Sequence, residues 1–166
     1  VRGNRTVGGV INVARRREAE ALVRTSIQSQ LNGVRAEMFR RNADVLDAQQ
    51  LLTAFDANVG IQCAAYSGGV WTFDGEPTPD SIVQAPMPGL PLHFNCRCVL
   101  IPVLEGEPPA EDILFADWLS EQPEAVQVEV LGRSRRELWQ GGSLSLSQLV
   151  DQRGRPLPVS ALAEAA

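Results

Sequence analysis

The chain has 166 residues, of which 44% are hydrophobic and 21% are charged, and its formal net charge is −5 at pH 7. This composition is typical of a globular protein with a hydrophobic core, and it excludes collagen-like and intrinsically disordered chains. No apolar run approaches the roughly 20 residues that a transmembrane helix needs. We therefore expect no membrane partner.

Positive charge is concentrated near the N-terminus. Residues 1–41 contain nine arginines and three glutamates, a net charge of +6, whereas residues 42–166 contain six arginines and 17 acidic residues, a net charge of −11. A basic segment on an acidic body can contact DNA non-specifically or bind an acidic protein partner, and a solvated helix face is the alternative. The candidate contact residues are Arg15, Arg16, Arg17, Arg24, Arg35, Arg40 and Arg41.

The first predicted element is a long helix over residues 13–47. Its apolar residues recur at helical spacing and form one stripe, which consists of Val23, Ile27, Leu31, Val34, Met38 and Val45. Asn32-Gly33 interrupts the stripe and is expected to kink or divide the helix, because glycine costs about 1 kcal/mol relative to alanine there. Residues 1–13 are expected to form a flexible or extended lead-in.

Three short strands are predicted next, over residues 49–55, 70–73 and 97–103, from their β-branched, aromatic and apolar content. Residues 76–91 contain five prolines, which predict an extended loop without a regular ladder. We expect the strands on either side of this loop to pair. Together these segments predict a small antiparallel sheet packed on the long helix.

Residues 104–109 are predicted to be a linker. An amphipathic helix is predicted beyond it over residues 110–121, followed by two short helices over residues 123–131 and 134–140 that end at glycines. The predicted fold class is therefore α+β, with a long N-terminal helix, a small sheet with a Pro-rich loop, and a helical C-terminal subdomain. The predicted units are the lead-in at 1–13, a first domain at 14–104 and the helical subdomain at 105–166.

Three cysteines and the sole histidine form a candidate metal site, namely Cys63, His93, Cys96 and Cys98. Thiolates and a neutral imidazole are the usual ligands of a tetrahedral structural zinc ion. A turn entering the last strand would aim His93, Cys96 and Cys98 at one point. One structural zinc or three reduced, buried thiols both fit the sequence, which lacks a visible secretion signal.

These same residues resemble the C-terminal domain of the phage Mu F-like head-morphogenesis family, over roughly residues 20–104. The resemblance is carried by Thr53-Ala54-Phe55-Asp56, Cys63-Ala64-Ala65, Pro91-Leu92-His93, Asn95-Cys96-Arg97-Cys98 and Ile101-Pro102-Val103. Residues 118–151 are similar to the segment that often follows this domain. Two positions depart from the family's pattern, because Gly60 stands in place of a cysteine and Phe94 in place of a proline.

The resemblance implies a structural minor head protein of a tailed bacteriophage. Such a protein acts at or near the portal in capsid assembly, DNA packaging or DNA delivery, with the portal or other capsid proteins as partners. It would be located in the virion head after assembly in the host cytoplasm. Residues 14–104 would be the Mu F-like domain, and its metal site would be reduced to Cys63, Cys96, Cys98 and His93.

We expect no enzymatic activity and no small-molecule substrate. A Cys96–His93 pair could act as nucleophile and base only with a residue that orients the histidine, and no motif supplies one. No phosphate-binding loop, dinucleotide-binding motif or HExxH zinc-protease motif is present in the sequence. The alternatives are a zinc-ribbon-like nucleic-acid-binding module and the delivery module of a polymorphic toxin.

Overall fold

The computed structural model describes residues 7–111 and 114–165, with side chains described from Arg15 onward. Its elements are helix α1 (Val7–Arg41), strand β1 (Leu46–Leu52), helix α2 (Ile61–Tyr66), strands β2 (Val70–Trp71) and β3 (Val99–Leu104), helices α3 (Phe115–Ser120), α4 (Glu124–Leu131) and α5 (Arg133–Gln140), a 3₁₀ turn (Leu146–Leu149) and helix α6 (Val159–Ala165). The predicted α+β class, with a long helix, a small antiparallel sheet and C-terminal helices, is confirmed.

β1 is the central strand of the sheet, whose order is β2-β1-β3 with both pairings antiparallel. Gln49 of β1 lies opposite Trp71 on one side and opposite Pro102 on the other. The prediction that the strands flanking the Pro-rich loop pair with each other is therefore wrong, because β1 lies between them. β1 also begins and ends three residues earlier than the predicted range of 49–55.

Two glutamines can occupy the buried centre of β1 because their amide groups bond to the backbone. The Gln49 side-chain amide donates to the carbonyl oxygen of Thr72 at 3.1 Å. Gln50 donates to the carbonyl of Ala110 at 3.1 Å and accepts from the amide of the same residue at 3.0 Å. Polar residues in mid-strand therefore fix the start of the C-terminal part of the chain against the sheet.

α1 begins earlier and ends earlier than predicted. Its first residue is Val7, so the expected lead-in is helical over residues 7–13, and residues 1–6 lie outside the described part of the chain. After Arg41 the chain turns, with the Asn42 side chain donating to the Met38 carbonyl oxygen at 2.7 Å. Val45, predicted as part of the helix stripe, lies in this turn.

The face of α1 that packs on the rest of the protein is not the apolar stripe. The buried or half-buried positions are Ala21, Thr25, Gln28, Ser29, Asn32, Arg35, Ala36 and Phe39. At 100° per residue the stripe lies roughly 130° around the helix from Asn32. Its members Val23, Ile27, Leu31, Val34 and Met38 are 57%, 55%, 47%, 65% and 53% exposed. We call these five residues the α1 stripe.

Asn32-Gly33 does not divide the helix. Asn32 is 2% exposed, and its side-chain amide donates to the carbonyl oxygen of Cys98 at 2.8 Å. This long-range bond occupies the side chain, which would otherwise compete for nearby backbone groups and favour a turn. Gly33 lies on the exposed side, where an added Cβ would meet nothing within 4 Å. The helix is therefore not divided at this point, because a tertiary contact overrides the local preference.

The Pro-rich loop lies over β2 and is fixed to it by side chains. The indole of Trp71 donates to the carbonyl oxygen of Ala85 at 2.9 Å, and the amide of Val70 donates to the hydroxyl of Ser81 at 3.0 Å. Apart from an isolated bridge between Trp71 and Pro77, the described loop has no ladder, as predicted.

One hydrophobic core joins the sheet to the C-terminal helices. Tyr66 and Trp71 belong to the same buried cluster as Leu119, Leu131 and Leu149. The core is thus continuous across residue 104, where the sequence predicted a linker.

Two of the three predicted C-terminal helices are confirmed within one residue, as α4 and α5. The third, predicted over residues 110–121, is shortened to α3 at Phe115–Ser120, which buries Phe115 and Leu119 completely. Leu114 and Trp118 are half-buried, and Ile113, which was also expected to face inward, lies outside the described residues.

Replacing Asn32 or its neighbour Gly33 with alanine should change the free energy of unfolding in opposite directions. Asn32→Ala removes one of two amide donors to a buried carbonyl, so we expect the free energy of unfolding to fall by about 1–2 kcal/mol. Gly33→Ala should raise it by up to about 1 kcal/mol, since alanine favours the helix and its Cβ has open space. Urea unfolding of the two variants measures both effects, and a neutral Asn32→Ala would contradict the anchoring of α1 by this bond.

Candidate metal centre

Three cysteine sulfurs meet between α2 and the turn before β3. The Sγ atoms of Cys63, Cys96 and Cys98 all lie within 4.8 Å of one another, and the three residues are 2%, 3% and 0% exposed. All three are free thiols. The predicted convergence of these cysteines is confirmed, and the cluster could bind a metal ion.

Cys63 reaches the cluster from a helix that the sequence analysis missed. It lies in α2, a six-residue helix whose residues from Cys63 to Tyr66 are all buried. So short a helix shows less than two turns of periodicity, and its residues Ile61-Gln62-Cys63-Ala64-Ala65-Tyr66 are nearly all apolar. The sequence therefore suggested a loop at this place.

A turn at residues 93–96 aims Cys96 and Cys98 at the same point. The amide of Cys96 donates to the carbonyl oxygen of His93 at 3.1 Å, and Asn95 has a φ of 60°, a left-handed conformation in which asparagine is enriched. β3 begins only at Val99. The predicted turn, which aims Cys96 and Cys98 at one point, is therefore found.

His93 contacts the cluster through one ring nitrogen. Its Nε2 lies 2.9 Å from the sulfur of Cys63, and its Nδ1 lies 2.7 Å from the carbonyl oxygen of Phe94. A carbonyl can only accept a hydrogen bond, so Nδ1 carries the proton in the neutral ring and Nε2 presents its lone pair to the sulfurs. Metal-binding histidines commonly have this arrangement, in which the other ring nitrogen donates to a carbonyl or carboxylate.

The three thiols differ in how readily they ionise. Hydrogen bonds from Cys63 and Cys98 lower the pKa of Cys96, so a negative charge in the cluster is held best by Cys96. Contacts with Cys96 and Cys98, together with burial, raise the pKa of Cys63 well above its usual range.

α1 is fixed to the cysteine turn by polar side chains. The side-chain amides of Gln28 and Asn32 both donate to the carbonyl oxygen of Cys98, at 2.7 and 2.8 Å. The amide of Asn95 donates to the hydroxyl of Thr25 at 3.0 Å. Sequence reasoning did not select these residues, although their spacing of three and four places them on one helix face.

An ion pair joins the cysteine turn to the loop after β1. Arg97 forms two hydrogen bonds with the carboxylate of Asp56, at 2.5 and 2.7 Å. The side chains are 47% and 37% exposed. The Arg97 hydrogen bond lowers the pKa of Asp56. This two-pronged geometry is specific to guanidinium and carboxylate groups, and it fixes the loop that leads into α2.

The predicted arginine set lies on α1, mostly apart from the metal centre. Arg15, Arg16, Arg17, Arg24, Arg40 and Arg41 are exposed and Arg35 is half-buried. Glu37 pairs with both Arg40 and Arg41, and Glu20 pairs with Arg16. Arg35 donates to the side-chain oxygen of Asn32 at 3.3 Å. The helix thus keeps a net positive exposed surface, with part of its charge compensated locally.

A groove of about 960 Å³ connects α1 with the outside of the metal centre. It is lined by Arg24 and Ile27 from α1 and by His93, Phe94 and Arg97 from the cysteine turn. Phe94 is 63% exposed. The α1 stripe is therefore continuous, through Ile27, with an exposed aromatic ring beside the candidate ligands.

Comparison of the chain with protein-family models, with curated proteins and with solved structures found no match. Among the described residues, no helix is both long enough and apolar enough to cross a membrane.

The Asp56–Arg97 ion pair should stabilise the fold in a pH-dependent way. Because the folded pKa of Asp56 is lowered, its contribution is present above the unfolded pKa of about 3.9 and is lost as the pH falls through the folded value. We expect Asp56→Asn to lower the free energy of unfolding at pH 7 by at most about 1 kcal/mol, since the pair is partly exposed.

The free energies of unfolding of the wild type and the Asp56→Asn variant should converge at low pH, once the pH lies below the lowered pKa of Asp56. Asp80→Asn is the matched control, because it changes the net charge equally at an exposed carboxylate for which the described structure shows no ion pair. A difference between Asp56→Asn and wild type that does not change with pH would contradict this role.

Proposed function

We propose that the protein is a structural, non-enzymatic minor head component of a tailed bacteriophage. It acts at or near the portal in capsid assembly, DNA packaging or DNA delivery, and α1 is its contact with the portal or another capsid protein. The resemblance of the cysteine turn and its surroundings to the Mu F-like family supports the proposal that the protein belongs to a phage head. The observation that carries the proposal is the exposed α1 stripe.

The α1 stripe has the composition of a protein-binding surface. Five large apolar side chains on one helix face are about half exposed or more, while the opposite face packs on the sheet. Scattered apolar residues are normal on surfaces, but a continuous exposed stripe marks an interaction site. A structural component of a large particle requires such a surface.

The charges around the stripe favour an acidic partner over a second copy of this chain. Arg24 and Arg35 lie on one flank of the stripe, and Arg41 lies near its C-terminal end. Two copies pairing in antiparallel fashion about the centre of the stripe would bring Arg24 of one copy close to Arg35 of the other, which is repulsive. We propose that an acidic amphipathic helix of the portal or a capsid protein packs on the stripe.

We propose zinc as the ion of the cysteine cluster, with a structural role. Thiolates about 2.3 Å from a tetrahedral zinc lie about 3.8 Å apart, and the sulfurs of Cys63 and Cys96 are separated by 3.8 Å. Zinc would hold α2, the end of the Pro-rich loop and the start of β3 together, and it would draw all three thiols into the thiolate form.

The buried state of the cysteines supports a structural role over a catalytic one. The close contact between Cys63 and His93 has the spacing of a nucleophile and its base. However, Cys63 is 2% exposed, and its raised pKa disfavours the nucleophilic thiolate. A catalytic cysteine must be reached by its substrate, whereas a cysteine and a histidine that bind a metal can remain buried.

The double variant Ile27→Glu/Val34→Glu should fold normally and fail to join phage heads. Both side chains are more than half exposed, and glutamate is a good helix former, so we expect the melting temperature to stay within a few degrees. The two carboxylates would lie against the apolar face of an acidic amphipathic helix. Copurification with heads or portals should therefore fall at least about tenfold.

Leu22→Glu is the matched control for that experiment, since Leu22 is 57% exposed on α1 but lies outside the stripe. We expect it to copurify like the wild type. Normal incorporation of the double variant would contradict the proposed surface. If heads incorporate neither variant while Arg15–Arg17→Ala abolishes salt-sensitive DNA binding in vitro, α1 contacts DNA phosphates instead.

A further inference from the structure

Gly60 immediately precedes α2 and faces the imidazole of His93. A Cβ added at Gly60 would lie 2.8 Å from His93 Nε2, 3.2 Å from Cδ2 and 3.3 Å from Cε1. These three ring atoms are the nearest neighbours of that position. A side chain at residue 60 and the imidazole in its present place therefore exclude each other.

The backbone gives no reason of its own for glycine at this position. Gly60 has a φ of −72° and a ψ of 152°, an extended conformation that any residue adopts. Its carbonyl oxygen accepts a hydrogen bond from the amide of Ala64 at 3.0 Å, as any residue before a helix can do. The local feature that favours glycine at residue 60 is thus the space that the imidazole occupies.

The imidazole that uses this space is oriented towards the thiols. Its Nδ1 donates to the carbonyl of Phe94, and its Nε2 lies 2.9 Å from Cys63 Sγ. A thiolate and an imidazole bound to one tetrahedral zinc are separated by about 3.5 Å, so the present distance between His93 Nε2 and Cys63 Sγ is well within 1 Å of that spacing. Three thiolates and one imidazole give zinc its full coordination of four.

We propose that Gly60 determines the fourth ligand of the metal, because its bare backbone admits the His93 imidazole to a Cys₃His site. This inference rests on the proposed metal site. A cysteine side chain at position 60 would displace the imidazole and supply a fourth sulfur, so ligation by residue 60 and ligation by His93 are alternatives. Gly60 is a specificity-determining position of the site and is not itself a ligand.

The full chain and four variants, titrated with Co²⁺ and then with Zn²⁺, test this assignment. The variants are His93→Ala, Gly60→Ala, Gly60→Cys and the double variant Gly60→Cys/His93→Ala. The intensity of sulfur-to-cobalt charge transfer counts the thiolates, and competition with Zn²⁺ gives the affinity. We expect one metal per wild-type chain, and at least about a tenfold loss of affinity in His93→Ala, since even the loss of an outer-shell partner costs that much.

Gly60→Ala should weaken binding by displacing the ring, whereas Gly60→Cys should bind with about one third more charge-transfer intensity, because four thiolates replace three. The double variant should then bind as tightly as Gly60→Cys, which shows that His93 is no longer used. Wild-type metal binding that is unaffected by His93→Ala and Gly60→Ala would overturn this inference and leave the zinc proposal standing. A wild-type chain that binds neither ion would overturn both.

Discussion

Cys98 joins two parts of the molecule that are distant in sequence. Its carbonyl oxygen accepts hydrogen bonds from Gln28 and Asn32 of α1, and its sulfur lies in the buried cluster with Cys63 of α2. A buried carbonyl without partners costs about 1–3 kcal/mol, so α1 cannot leave the turn without a penalty there. The position of α1 and the geometry of the cysteine cluster are therefore coupled through one residue.

This polar attachment explains why α1 exposes its apolar residues. The helix meets the backbone of the turn, and backbone groups require donors and acceptors such as Thr25, Gln28 and Asn32. The face that carries these side chains must point inward, and the α1 stripe then points outward. N-terminal to Ala21 the described side chains are exposed, so this end of the helix depends on its own propensity and on contacts such as Arg16–Glu20.

The sequence predicted the elements and the candidate ligands better than their arrangement. Periodicity found α1, α4 and α5, and the chemistry of cysteine selected Cys63, Cys96 and Cys98 as one cluster. Periodicity did not identify the inward face of α1, because it scores apolar residues and gives no weight to a buried Asn32 that bonds to a distant carbonyl. β1 was misplaced for a related reason, since Gln49 and Gln50 are buried only where backbone partners come from other segments. The role of Gly60 depends on a ring 33 residues away in the chain, which no local pattern encodes.

Amide hydrogen exchange with and without zinc tests most directly whether α1 and the cysteine cluster are coupled through Cys98. We expect that removal of the proposed zinc ion with a chelator increases exchange in two places. One is the cysteine turn at residues 93–98, and the other is the part of α1 that carries Thr25, Gln28 and Asn32, whose side chains bond to that turn. Exchange in α5, which lies in the C-terminal part, should change little. Faster exchange confined to the turn, with α1 as protected as before, would contradict the coupling.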